Sequence, residues 1–240
     1  VKLTKIIRQD MNSGIVINSH CVLSGEKFCL TNSDGAKFND FFVIEEEDEQ
    51  KSHDKIIFYV TEALKKKRGI NSEEIQVLCP GKKGRVGVEI LNKDLRDKLN
   101  PSEREMSGFR VNDKVINTKN NYKKEIVNGD TGYVAGIGRR GVEVKIDDGE
   151  TVEFTENELM NLQLAYATTI HKAQGSEYRA VVYPVHNSHW ILHSRNLMYT
   201  GITRAKEIVI LIGSKKSINQ SIKNNKPVKR MTRLKELLTS

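Results

Sequence analysis

Short, mainly apolar runs at residues 75–78, 162–166, 180–185 and 208–212 predict buried strands of a parallel sheet, whose two faces are both covered. Helical spacing lies between them. Residues 51–68 bring Ile56, Ile57, Val60, Ala63 and Leu64 near one face, and Val88, Leu91, Leu95 and Leu99 recur every three or four positions until Pro101 stops the helix. Such alternation predicts α/β layers. From about residue 111 to residue 154 the pattern changes to short β runs at 114–117, 132–137, 142–146 and 151–154. Between these runs, Asn128-Gly129, the stretch from Gly138 to Gly141, and Asp147-Asp148-Gly149 provide the positive-φ residues that tight hairpins need. A small β-barrel is expected there. Because the parallel-sheet pattern resumes at Leu162, the barrel reads as an insertion into the α/β layer.

Hydrophobic residues make up 38% of the chain and charged ones 29%, and no apolar run approaches the roughly 20 residues of a membrane span. The opening Val1-Lys2-Leu3-Thr4 has neither an initiator methionine nor a signal region, so a cytoplasmic fragment of a longer protein is expected. Cys21, Cys29 and Cys79 are odd in number and lack metal-ligand spacing, which fits a reducing compartment and no metal site. A net charge of +8 and a pI near 9.3 favour contact with a polyanion. The charge runs at residues 45–49 and 65–68 read as a solvated loop and helix end without a role of their own.

The stretch Ala167-Thr168-Thr169-Ile170-His171-Lys172-Ala173-Gln174-Gly175-Ser176-Glu177 follows one predicted strand and precedes another. Hydroxyls, an imidazole and backbone amides placed after a strand can bind phosphate. Gly175 permits close backbone approach, and Glu177 can accept from a ribose hydroxyl. The same residues also fit an ordinary strand-to-helix turn, with Thr169 as N-cap and a glycine as helix end, and spacing alone leaves both open. Downstream, Arg204 in Tyr199-Thr200-Gly201-Ile202-Thr203-Arg204-Ala205-Lys206 is expected on a short helical segment. It is either a surface residue or a planar, permanently charged fork suited to a transferring γ-phosphate. His186, His189, Trp190 and His193 lie between the two stretches in no standard zinc pattern. They are expected on a loop packed against the sheet, with nucleic-acid contact as the alternative.

Residues 169–177 resemble motif V, and residues 199–206 motif VI, of superfamily 1 helicases, in the expected order. Ile7-Arg8-Gln9 with Ser13-Gly14-Ile15-Val16 resembles the motif IV region of RecD-like helicases, the exodeoxyribonuclease V alpha-subunit family. The run Val77-Leu78-Cys79-Pro80-Gly81-Lys82-Lys83-Gly84, with Gly87-Val88, Leu91-Asn92 and Leu99-Asn100-Pro101, is similar to the same subfamily. Residues 108–115, Asn120-Asn121-Tyr122 and Asn128-Gly129-Asp130 resemble the start of its SH3-like domain. The resemblance covers nearly the whole chain. It departs at Asn112, where members often carry glycine, and at Gly81, where they carry methionine.

The resemblance implies a RecA-like parallel sheet with helices on both faces, domain 2A, at residues 1–108 and 160–240, interrupted by an SH3-like β-barrel, domain 2B, at 109–159. It implies the carboxy-terminal motor half of an ATP-dependent 5'–3' DNA helicase or translocase of recombination and repair. Arg8 and Arg204 would complete the γ-phosphate site, Gln9, Gln174 and Gly175 would meet the nucleotide, and Glu177 would hold its ribose. Single-stranded DNA would be met by Thr168, Thr169 and His171 and by backbone near Pro80 and Lys82. Tyr122 would either stack on the strand or pack the barrel. The sequence has no G-x-x-x-x-G-K-[ST] loop and no apolar strand ending in paired Asp-Glu. ATP and Mg2+ are therefore expected to be held mainly by a first RecA-like domain outside this sequence, and the chain alone is expected to be inactive, with no tightly bound cofactor. Expected partners are single-stranded DNA, that amino-terminal domain and recombination nuclease subunits. No acidic metal-binding cluster supports nuclease chemistry in this chain itself. The rival reading, a stand-alone SH3-like nucleic-acid-binding module without enzymatic role, accounts for the charge and the β segment. It leaves the ordered Arg204 and Gln-Gly-Ser-Glu elements unexplained.

Overall fold

A computed structural model describes residues 13–31, 35–101, 105–147 and 149–225. One sheet is parallel throughout, in the order β1 (Phe41–Glu45), β12 (Ala205–Gly213), β11 (Tyr178–Val185), β2 (Ile75–Cys79) and β10 (Ala167–Thr169). Successive side chains on a strand point to opposite faces. On β11 and β12, Val181, Tyr183, Val185, Val209 and Leu211 therefore enter one core, while Ala180, Val182, Ile208, Ile210 and Ile212 enter the other. The first core is covered by α1 (Gly14–Ser24), α5 (Arg195–Ile202) and α6 (Lys215–Lys223), through Ile15, Val22, Met198, Ile202, Ile218 and Ile222. The second is covered by α2 (Glu49–Phe58), α3 (Leu64–Arg68) and α4 (Val88–Leu99), through Ile56, Leu64, Leu91 and Leu95. This is the predicted RecA-like layer. The helix expected over residues 51–68 runs from α2 through a π turn, Tyr59–Ala63, into α3.

Caps set where the helices begin. Asp48 accepts from the Lys51 amide at 2.8 Å at the start of α2. Ser194 and Ser214 accept from the Leu197 and Ser217 amides at the starts of α5 and α6. At α1 the task falls to a distant residue, because Asp40 accepts from both the Ser13 hydroxyl (2.5 Å) and the Gly14 amide (3.0 Å). Strand β1 has no counterpart among the predicted strands. Its apolar run is short and gives way at once to the acidic stretch.

The second sheet is antiparallel, in the order β8 (Thr151–Thr155), β7 (Gly141–Ile146), β6 (Thr131–Ile137), β5 (Lys114–Asn117) and β9 (Leu162–Leu164). A two-residue ladder, β3 (Glu105–Met106) with β4 (Phe109–Arg110), precedes it. Val115, Val134, Val142, Val144, Phe154 and Leu162 fill its core. The placement of residues 162–166 in the parallel sheet is corrected here. Leu162, Gln163 and Leu164 pair antiparallel with Asn117, Ile116 and Val115, and the parallel strand starts only at Ala167. Two buried amides make the switch possible by satisfying backbone groups that leave one sheet before joining the other. Gln76 donates to the carbonyls of Ala165 and Tyr166, and Asn92 donates to those of Leu164 and Ala167 while accepting from the Ala167 amide. The buried–exposed–half-buried pattern of Leu162-Gln163-Leu164 is that of a strand with one open face.

Asp113, fully buried, ties the two sheets together. Its carboxylate accepts from Arg96 on α4 (2.9 and 3.1 Å), the Asn100 side chain (2.9 Å), the Arg110 amide (2.7 Å) and the Tyr166 hydroxyl (3.1 Å). Beside it, Asn112 has φ +70, a left-handed backbone that glycine or asparagine adopts most readily, which accounts for asparagine at a position where glycine is expected. Among the described residues no helix is long and apolar enough to cross a membrane. All three cysteines are free thiols.

Candidate functional site

In a parallel sheet the chain leaves each strand at the carboxyl edge and must cross the layer to begin the next at the amino edge. Residues 170–177 are such a crossing, from Thr169 at the end of β10 to Tyr178 at the start of β11. They form consecutive turns without a regular helix. The Lys172 and Ala173 amides bond back to the Thr169 carbonyl (3.0 and 3.2 Å), and the Thr169 hydroxyl accepts weakly from the Lys172 amide at 3.4 Å. Thr169 thus caps a single turn. Gly175 closes the segment at φ +96, and a Cβ added there would meet no atom within 4 Å. Its glycine is required by backbone conformation rather than by crowding.

At the amino edge, Arg204 lies just beyond the end of α5, since the helix stops at Ile202 instead of carrying the arginine. Its guanidinium donates to the carbonyls of Ser176 (3.2 Å) and Thr200 (3.3 Å). The Tyr178 amide donates to the Arg204 carbonyl (2.9 Å), and Lys206 pairs with Glu177 at 3.6 Å. Arg204, Ser176 and Glu177 therefore share one surface, with Gln174 and Gly175 beside them.

At the carboxyl edge the same crossing borders a cleft of about 340 Å³ between the two sheets, lined by Lys82, Thr168, Thr169, Lys172, Gln163 and Asn92 among others. Lys172 donates to Gln163 on β9 at 2.8 Å. Burial and then the nearby charge of Lys82 lower its pKa, the condition of two cations facing one space. Thr168 is only 3% exposed and its hydroxyl has no hydrogen-bond partner among the described residues, so it forms the floor of the cleft. His171 is exposed on the crossing but does not line the cleft. Pro80 is buried at the end of β2 and has no N–H to offer, so only neighbouring amides could serve a phosphate from there. Tyr122 sits elsewhere, 77% exposed on the barrel, with its hydroxyl accepting from Asn120 at 3.1 Å. Such exposure excludes a role in packing the barrel. Arg8 and Gln9 lie outside the described residues. Lys172 was not singled out in the sequence because its partner cation lies some ninety residues away and comes close only once β10 pairs with β2.

The histidines are buried as expected of a packed loop. After β11, the 3-10 segment Asn187–Leu192 is held by His186 to the Glu47 carbonyl (2.9 Å) and by His189 to the Lys83 carbonyl (2.7 Å). The His189 ring fills the space beside Gly81, where an added Cβ would lie 2.7 Å from it, which explains glycine where methionine is expected. No group of three or more His, Cys, Asp or Glu among the described residues is placed to hold a metal ion.

Two family models match the chain: the UvrD-like helicase C-terminal domain over residues 164–212 and the ATP-dependent RecD-like DNA helicase SH3 domain over residues 91–154. The ATP-dependent RecD2 DNA helicase of Deinococcus radiodurans is 43% identical over 148 residues, covering 58% of this chain and 20% of that protein. The RecBCD enzyme subunit RecD of Mycolicibacterium smegmatis is 30% identical over 152 residues, covering 62% of this chain and 27% of that protein. The chain thus spans between a fifth and about a quarter of these relatives. In fold it is similar to a Bacteroides Pif1 helicase in complex with ADP-AlF3 and ssDNA, with TM-score 0.56, 17% identity, and coverage of 100% of this chain and 56% of that one. It is also similar to the Candida albicans Pif1 helicase, with TM-score 0.53, 17% identity, and coverage of 98% and 60%. With its two matched regions in one chain and the parallel and antiparallel sheets to go with them, this chain is similar to the carboxy-terminal region of RecD-like helicases.

Proposed function

We propose that this chain is the carboxy-terminal half of the motor of an ATP-dependent DNA helicase or translocase that moves 5' to 3' in recombination and repair. Residues 1–108 and 160–240 would form domain 2A, and residues 109–159 the inserted domain 2B. The observation that carries this reading is the crossing at residues 170–177, which borders a lysine-lined cleft at one end and is bonded to Arg204 at the other. A segment fixed at both edges of a sheet can transmit a change at the nucleotide to a strand in the cleft.

In this reading single-stranded DNA lies in the cleft with phosphates on Lys82, Lys172 and Thr169, over the floor made by Thr168. His171 and amides near Pro80 stand alongside, and Tyr122 is a stacking surface on the barrel. ATP, bound mainly by an amino-terminal motor domain outside this sequence, meets Arg204, Gln174, Gly175 and Glu177 at the opposite edge, together with Arg8 and Gln9. Mg2+ would be held by that other domain and would supply charge neutralisation at the phosphates. The part of Arg204 is to stabilise charge on the transferring γ-phosphoryl group, where such an arginine contributes about a thousandfold or more in rate. The Deinococcus relative, named as an ATP-dependent DNA helicase, and the ssDNA in the Bacteroides Pif1 complex support the reading of an ATP-dependent motor on DNA. The RecBCD subunit relatives make recombination nuclease subunits candidate partners, with nuclease chemistry left to them.

Fluorescence anisotropy of labelled oligonucleotides tests the nucleic-acid half of this reading. Binding should be weak, indifferent to base order and strongly reduced by salt. The chain alone should hydrolyse no ATP. Tight binding to one duplex sequence would instead make the chain a sequence-specific regulator.

A further inference from the structure

The segment Asn187–Leu192 presents three consecutive large apolar side chains to solvent: Trp190 is 58% exposed, Ile191 75% and Leu192 41%. An exposed tryptophan on a loose loop would mean little. This segment is fixed at both ends. His186 and His189 hold it to the Glu47 and Lys83 carbonyls, Asn187 accepts from the Ser217 hydroxyl at 3.1 Å, and the His193 carbonyl accepts from Asn224 at 2.6 Å. The aromatic ring is carried on a rigid mount whose inner histidines are fully committed to packing.

Its position follows from the strand order. The loops that leave β10, β2 and β11 emerge side by side at the carboxyl edge of the sheet. The first two line the cleft with Thr169, Lys172 and Lys82, and the third carries Trp190 and grips the second through Lys83. Two strand spacings, roughly 10 Å, separate the first from the third. Lys82 and Lys83 are exposed on the loop between the cleft and the ring. The acidic residues 45–49 also approach this segment, the Glu47 carbonyl being bonded to His186. Glu45 and Glu47 are engaged by Lys215, Glu46 by Lys55, and Glu49 lies beside Gly84 and Ser188. The exposed Lys82 and Lys83 thus favour a polyanion on the stretch between the cleft and Trp190, while the acidic residues nearby are largely engaged by lysines.

We propose that Trp190 is a base-stacking platform for single-stranded nucleic acid, placed at the end of the path that begins in the Lys82–Lys172 cleft, with Lys83 holding the intervening phosphate. The inference rests on the reading of that cleft as the strand-binding site. A π-face accepts any base, so the contact adds affinity without sequence preference.

Trp190 is the single tryptophan of the 240 residues, so the protein's own tryptophan emission reports on this position alone. Labelled oligothymidylate is titrated into the chain, with anisotropy and tryptophan emission followed together. The proposal expects emission to be quenched over the same concentration range as the anisotropy rises. Trp190→Ala should weaken binding about tenfold with the salt slope unchanged, and Trp190→Phe should retain most of the affinity. Binding without quenching, and with Trp190→Ala equal to wild type, would overturn the proposal alone and give the apolar tip to a protein neighbour. Absence of any anisotropy change would overturn the cleft reading and this proposal together.

Discussion

Lys82 and Lys172 decide what the cleft can hold. Burial of the Lys172 ammonium, and then the neighbouring charge of Lys82, lower its pKa, and a bound phosphate would relieve both costs. Lys82→Ala and Lys172→Ala should therefore each weaken oligonucleotide binding equally for all sequences and reduce the magnitude of the log–log salt slope by about 0.7. An unchanged slope would remove that lysine from the phosphate path. At this scale the sequence was only partly informative. Thr169, Gln174, Gly175 and Arg204 stood out because they fall within short contiguous stretches. The pairing of Lys172 with Lys82 did not, since it exists only through strand pairing. The two departures from the expected pattern, Asn112 and Gly81, acquire reasons only from backbone conformation and from the neighbouring His189 ring.

The 187–192 segment and the residue that follows it show how an element's packing sets its response to pH. His193 is fully buried, and neither ring nitrogen has a hydrogen-bond partner among the described residues. Burial, followed by its neighbours His189 and His186, lowers its pKa to about 4. An unfolded chain accepts this proton near pH 6.5. Between about 6.5 and 4 the unfolded state therefore binds more protons, and stability present above that window is lost as pH falls through it, by up to about 3 kcal/mol. Denaturation midpoints measured from pH 7 to pH 4 should fall less steeply for His193→Leu than for wild type. The variant gives up no side-chain hydrogen bond and should fold at neutral pH. Parallel curves for the two proteins would show that His193 is not the group responsible. Elements with long, regular patterns, such as α4 and the centre of the parallel sheet, were legible from the sequence. Strand β9 was misplaced because the chain leaves the antiparallel sheet at Leu164 and joins the parallel one only at Ala167, and the switch depends on Gln76 and Asn92, which no local pattern reveals.

At the scale of the whole molecule, the parallel and antiparallel sheets are joined through the buried Asp113 carboxylate. Removing one partner of a buried, fully bonded charge leaves the others uncompensated. Asp113→Ala should lower the unfolding free energy by about 3–5 kcal/mol, and Asp113→Asn by less. A loss under about 1 kcal/mol in chemical denaturation would mean that the network is dispensable. The junction was not visible in the sequence, where Arg96, Asp113 and Tyr166 are ordinary and far apart. The architecture it joins was visible, as a change from runs to hairpins and back. That architecture sets the Lys82–Lys172 cleft and the Arg204 surface on opposite edges of one sheet, linked by the crossing at residues 170–177. The proposed motor role is tested most directly by DNA-stimulated ATP hydrolysis in a protein that joins this region to the amino-terminal motor domain proposed for it, comparing wild type with Arg204→Ala while oligonucleotide binding is monitored. It predicts turnover lower by about a thousandfold or more with binding retained. Turnover equal to wild type would contradict it.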